Sequence, residues 1–133
     1  MSTYRSTTSQ SNIVKAVLVL LLALAFTVGA ASPALAKGMS KKKVVAIIKS
    51  VAKAKHLSNS EISALLKICK RESTFRPTAR NHSCKGLFQL KTAYGYKKWS
   101  NPAWNTRKAI RYIKHRYGSC RAALSHSYRY GWY

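Results

Sequence analysis

Two carboxylates, Glu61 and Glu72, are the whole supply of side-chain acids in a chain that carries 25 lysines and arginines. Acid–base chemistry on a neutral leaving group needs a carboxyl that can hold a proton and give it up on demand. Glu61 closes Ser58-Asn59-Ser60-Glu61, the Ser-x-x-Glu form of a capping box, so its side chain is expected to reach back to the Ser58 N–H. Glu72 is then left as the acid for chemistry. At the carboxyl end of a helix, the dipole and the unpaired carbonyls oppose its charge and raise its pKa. Lys70, Arg71 and Arg76 pull the other way, and a surface ion pair with one of them is the competing reading.

The elements that must position Glu72 read as helices. Val44, Val45, Ile47, Ile48, Val51 and Ala52 recur with helical spacing after the basic start Lys41-Lys42-Lys43, and His56-Leu57 ends the run. A second helix starts at the capping box, carries Ile62, Leu65, Leu66 and Ile68, and ends around Ser73. Pro77, Asn81, His82 and Ser83 mark an irregular loop, after which Gly86-Leu87-Phe88-Gln89-Leu90 is expected to open a short helix. Asn101-Pro102 reads as a cap and first helical residue, with Ala109, Ile110, Ile113 and Tyr117 repeating until Gly118. A last helix is expected over Arg121 to Tyr128. No run alternates strictly enough to argue for a strand, so the fold class is all-α, or nearly so.

The formal net charge of +23 cannot be balanced internally, and most of the cations must face solvent or a polyanion. Arg5 and Lys15, the apolar run from Ala16 to Phe26 and the small-x-small triplet Ala34-Leu35-Ala36 read as a secretory signal peptide over residues 1–36. An uncleaved membrane anchor is the alternative, although the apolar run falls short of the roughly 20 residues a spanning helix needs. Cleavage near Ala36 predicts a secreted or wall-associated monomer without stable membrane association. Residues 37–56 then form a basic amphipathic helix, and 57–133 the functional part of one small domain.

Export permits disulfides. Of Cys69, Cys84 and Cys120, the spacing favours Cys69 with Cys84, because closing a loop of about 15 residues is worth roughly 3 kcal/mol in the chain-entropy model. Three free thiols, or a bond using Cys120, are the alternatives. The histidines at 56, 82, 115 and 126 show no metal-ligand spacing, the cysteines form no Cys-x-x-Cys pair, and there is no glycine-rich phosphate loop. Neither a metal nor an organic cofactor is implied.

The stretch Glu72-Ser73-Thr74-Phe75-Arg76-Pro77-Thr78-Ala79-Arg80-Asn81, followed by Lys85-Gly86-Leu87-Phe88-Gln89-Leu90, resembles the signature of the soluble lytic transglycosylases, which belong to the lysozyme-like superfamily. That signature has the form Glu-Ser-x-Phe-x-Pro-x-Ala, a short loop, then Gly-Leu-x-Gln-Leu. Weaker resemblance to secreted actinobacterial and phage-encoded members continues through Asn101-Pro102-x-Trp104-Asn105-Thr106, Tyr112-Ile113 and Arg116-Tyr117-Gly118-Ser119 to Gly131-Trp132-Tyr133. It covers roughly residues 57–133.

The resemblance implies a lysozyme-like, almost entirely helical fold and a substrate of peptidoglycan glycan strands. Glu72 is implied to protonate the bond between N-acetylmuramic acid and N-acetylglucosamine, then to take a proton from the muramic acid 6-hydroxyl, forming a 1,6-anhydro ring. One acid suffices there, because the substrate's N-acetyl group and hydroxyl take the parts that a second carboxylate and water play in ordinary glycosidases. Ser73 is implied to orient Glu72 or the N-acetyl group, Gln89 to hydrogen-bond sugar, and Phe88 to form an apolar wall. Where many members carry Ala-Tyr-Asn, this chain has Ala123-Leu124-Ser125-His126-Ser127-Tyr128, so His126 or Tyr128 would have to substitute as a sugar contact, an exposed or packed residue being the competing reading.

Among the aromatic residues, Tyr94 and Tyr96 are candidates to stack on sugar faces, whereas Trp104 and Trp132 are assigned to packing. A non-catalytic cationic module that binds anionic wall polymers or membranes is the rival reading. A nucleic-acid binder is disfavoured by the export signal and the lack of a nucleic-acid-binding motif.

Overall fold

Four helices and a three-stranded sheet of two-residue strands make up the computed structural model, which describes residues 38–91 and 98–133. The expected signal peptide, and Tyr94 and Tyr96, lie outside the described residues. Helix α1 (Lys41–Ala54) starts at Ser40, whose hydroxyl accepts from the Lys43 N–H at 3.3 Å. It buries Val44, Ile48 and Ala52, one residue per turn along a single stripe. Helix α2 (Asn59–Ser73) is capped by Ser58 and buries Ile62, Leu65, Ile68 and Cys69. Helix α3 (Pro102–Tyr117) is capped by Asn101, with Pro102 where its missing N–H costs nothing. Helix α4 (Cys120–Tyr130) is capped by Ser119 and ends at Gly131 in the left-handed conformation.

Helix α1 packs chiefly on α3, and α2 chiefly on α4, with α3 and α4 closing the set. Their stripes meet in one core that includes Ile48, Leu65, Ile68, Leu87, Phe88 and Ile113, all fully buried. The domain is therefore mostly α, as its periodicity implied. Among the described residues no helix is long and apolar enough to cross a membrane.

The sheet corrects the expectation of no strand. Strands β1 (Arg80–Asn81), β2 (Cys84–Lys85) and β3 (Leu90–Lys91) pair antiparallel in the order β1-β2-β3, with Asn81 opposite Cys84 and Lys85 opposite Leu90. Two-residue strands contain too little alternation to show in a sequence. The helix expected over residues 86–90 is likewise a turn leading into β3. Gly86 makes that turn: its φ is +84°, and a Cβ there would stand 2.7 Å from the Trp99 carbonyl oxygen. Buried Asn105 then ties the turn to α3, its Oδ1 accepting from the Phe88 N–H at 3.0 Å.

Candidate active site

Glu72 sits in the last turn of α2, just before a change of direction that the chain makes with two consecutive left-handed residues, Thr74 (φ 54°) and Phe75 (φ 62°). Neither is glycine, so each stands in a sparsely populated conformation held by its surroundings. Half-buried Phe75 packs against the core, and the Ser73 carbonyl accepts from both the Arg76 N–H and Arg76 Nε at 3.1 Å. These contacts fix where α2 stops, and with it the position of Glu72.

The carboxyl opens into a cleft of about 970 Å³. Asn81, Cys84, Leu90 and Lys91 from the sheet line it on one side, with Phe88 and Gln89 from the turn before β3. Lys108, Tyr112 and Arg116, spaced one turn apart on α3, form the other wall, and Gly131, Trp132 and Tyr133 complete the rim. Glu72 is the cleft's sole acid, with Arg71 beside it. Burial raises the Glu72 pKa above the ordinary carboxylate value, and the positive charge of Arg71 only partly opposes this. The Arg71 guanidinium is drawn toward α4, where it donates to the Ser127 carbonyl at 3.2 Å and lies 4.8 Å from the Tyr128 ring centre.

Gln89 lies in the cleft with φ +44°. Its Nε2 donates to the carbonyls of Gly86 at 2.8 Å and Ala79 at 3.3 Å, so both donors hold the loop together. Its buried Oε1 has no hydrogen-bond partner among the described residues, which leaves an acceptor for a ligand hydroxyl or N–H. Phe88 is fully buried at the cleft base, and its carbonyl accepts from the Tyr133 hydroxyl at 2.6 Å.

Ser73, His126 and Tyr128 stand outside the cleft lining. Ser73 is buried and faces away from the cleft: its hydroxyl donates to the Cys69 carbonyl at 3.3 Å within α2, the usual resting place of a serine inside a helix. Tyr128 is 60% exposed and stays outside the cleft, under Arg71. His126 contacts the Trp132 carbonyl through Nδ1 at 2.9 Å and packs on the rings of Tyr117, Tyr130 and Trp132, so it holds the segment after α4. Trp132, assigned to packing, is half exposed on the cleft rim, 5.3 Å from the Arg116 guanidinium.

The Cys69–Cys84 bond is not formed, and all three cysteines are free thiols. Cys69 is fully buried, its sulfur 3.9 Å from the Ser73 hydroxyl, whereas Cys84 stands half-buried in the cleft wall. Loop entropy favours closing the pair, but it carries no information on where the two side chains point.

Glu61 also departs from expectation. Ser58 accepts from its N–H at 3.3 Å, completing one half of the capping box. Its carboxylate instead crosses to α4, accepting from the backbone N–H groups of Cys120 and Arg121 and from Arg121 Nε at 3.2 Å.

Tyr112, Arg116 and Tyr133 are cleft residues that sequence reasoning left unassigned. The first two were detectable as a stripe with Lys108 at positions i, i+4 and i+8 of a helix. Tyr133 fell within the weaker resemblance at Gly131-Trp132-Tyr133 but received no role, because it reaches Phe88 only through the left-handed turn at Gly131. Comparison of the chain with protein-family models, curated proteins and solved structures found no match.

Proposed function

We propose that this protein is an exported peptidoglycan lytic transglycosylase with a lysozyme-like fold, in which Glu72 acts first as general acid and then as general base. The observation that carries this reading is a single half-buried carboxyl, its pKa raised by burial, at the wall of a cleft large enough for sugar rings. In the first step the Glu72 O–H protonates the glycosidic oxygen, the C1–O bond of the muramic acid breaks, and the substrate's N-acetyl oxygen stabilises C1. In the second, Glu72 takes the proton of the muramic acid 6-hydroxyl, and O6 bonds to C1. The carboxyl is thereby restored to its starting state, and no water is consumed.

A two-carboxylate mechanism is unsupported, because Glu61 is engaged at the α4 N-terminus. Tyr112, Trp132 and Tyr133 offer flat apolar surface to pyranose rings, with fully buried Phe88 packed beneath, and Gln89 Oε1 an acceptor to their polar groups.

The test is mass spectrometry of purified peptidoglycan digested by the protein and by Glu72→Gln. Fragments ending in 1,6-anhydro-muramic acid, absent with the variant, are expected. Reducing-end products would mean hydrolysis, and no products from either protein would leave a cationic wall-binding module as the better account.

A further inference from the structure

A second cavity, of about 340 Å³, lies where the end of α1 meets α3, and Glu72 is not among its lining residues. Five cations line it: Lys55 beyond α1, and Arg107, Lys108, Arg111 and Lys114 along α3, with Trp104 at one end. Neither acid of the chain reaches it, since Glu61 is bound at α4 and Glu72 faces the cleft. Arg107, Arg111 and Lys114 sit about one helical turn apart, where like charges repel and a solubilising face would ordinarily interleave glutamates. An extended anion with charges repeated at similar intervals relieves that repulsion.

We propose that this groove binds a linear phosphodiester polymer of the polyol-phosphate type found in walls. A nucleic acid fits less well, because Trp104 is the groove's one ring and already lies under the Lys108 ammonium at 5.3 Å, so there is no platform for successive bases. A lipid surface fits less well again, because the groove is concave and its apolar member Ile110 is buried. Lys108 lines both this groove and the Glu72 cleft, so a polymer held in the groove lies beside any glycan in the cleft. Only the wall identity of the polymer rests on the proposed function; the groove's binding does not involve Glu72.

The experiment uses the purified protein carrying Glu72→Gln, so that nothing is cleaved, and titrates it with synthetic poly(glycerol phosphate) across a range of salt. Releasing about 0.7 counterion per neutralised phosphate, five cations predict an affinity loss of about 100-fold for a fourfold rise in salt. Adding Arg107→Gln, Arg111→Gln and Lys114→Gln, all at exposed positions, is expected to weaken binding at least about tenfold and to flatten the salt slope by about 2. A control with Lys41→Gln, Lys42→Gln and Lys43→Gln removes the same charge elsewhere and is expected to lose much less. Equal losses in the two triple variants would overturn the proposal in favour of diffuse charge attraction. Tighter binding of a single-stranded oligonucleotide, or of phosphatidylglycerol vesicles, through the same three residues would overturn it in favour of those ligands.

Discussion

Half-burying a carboxyl disfavours its ionised form, and Glu72 therefore keeps its proton to higher pH than a solvated glutamate. Its folded-state pKa exceeds the unfolded value, so the folded protein binds the extra proton between the two. Stability from this group is then complete below the unfolded pKa and is lost as pH rises through the folded one. Glu72→Gln should match the wild type in urea unfolding at acidic pH and exceed it at neutral pH; identical curves at both would show that the carboxyl is not desolvated. For activity, the alkaline limb of the pH–rate profile should lie above the ordinary carboxylate range, and the same variant should lose about 10³-fold or more in rate. The cysteines separate in a similar way. Burial pushes the Cys69 and Cys120 thiols to about 12, while Cys84 faces the cleft. Brief treatment with iodoacetamide should alkylate Cys84 alone, as read by peptide mass mapping, and modification of Cys69 or Cys120 in the folded state would contradict this packing.

At the scale of elements, helix ends decide where the chemistry stands. The caps at Ser58 and Asn101, and the stop at Gly118, were legible because each is a local arrangement of one residue type beside an apolar period. The destination of the Glu61 carboxylate was not legible, since Cys120 is brought to it only when α2 packs on α4. Acceptance from two N–H groups at the first turn of α4 joins hydrogen bonding to the favourable end of the helix dipole. Glu61→Ala is expected to cost about 2 kcal/mol in urea unfolding while leaving the reaction products unchanged. A loss of a few tenths of a kcal/mol would reduce the contact to an exposed ion pair. The small sheet was missed for the same reason that Cys84 was expected in a disulfide: strands of two residues and the direction of a side chain are set by pairing across the loop.

For the whole molecule, 25 cations against two acids means that folding gathers like charge, and this repulsion is screened by salt. The melting temperature should rise with sodium chloride and rise further with phosphate at equal ionic strength, if anions occupy the basic surfaces. A melting temperature independent of salt would show that the cations are already well separated. The amino-acid sequence by itself determined the charge and the four helical stripes, because these follow from composition and from a period of 3.6 residues, whereas Glu72 was singled out from two acids only by the motif that surrounds it. The tertiary structure decided what shares a cavity. It turned Ser73 inward and left Tyr128 outside, and it brought Tyr112, Arg116, Trp132 and Tyr133 to the cleft. Such juxtapositions join residues far apart in the chain and depend on how α2, α3 and α4 pack, which no local pattern encodes.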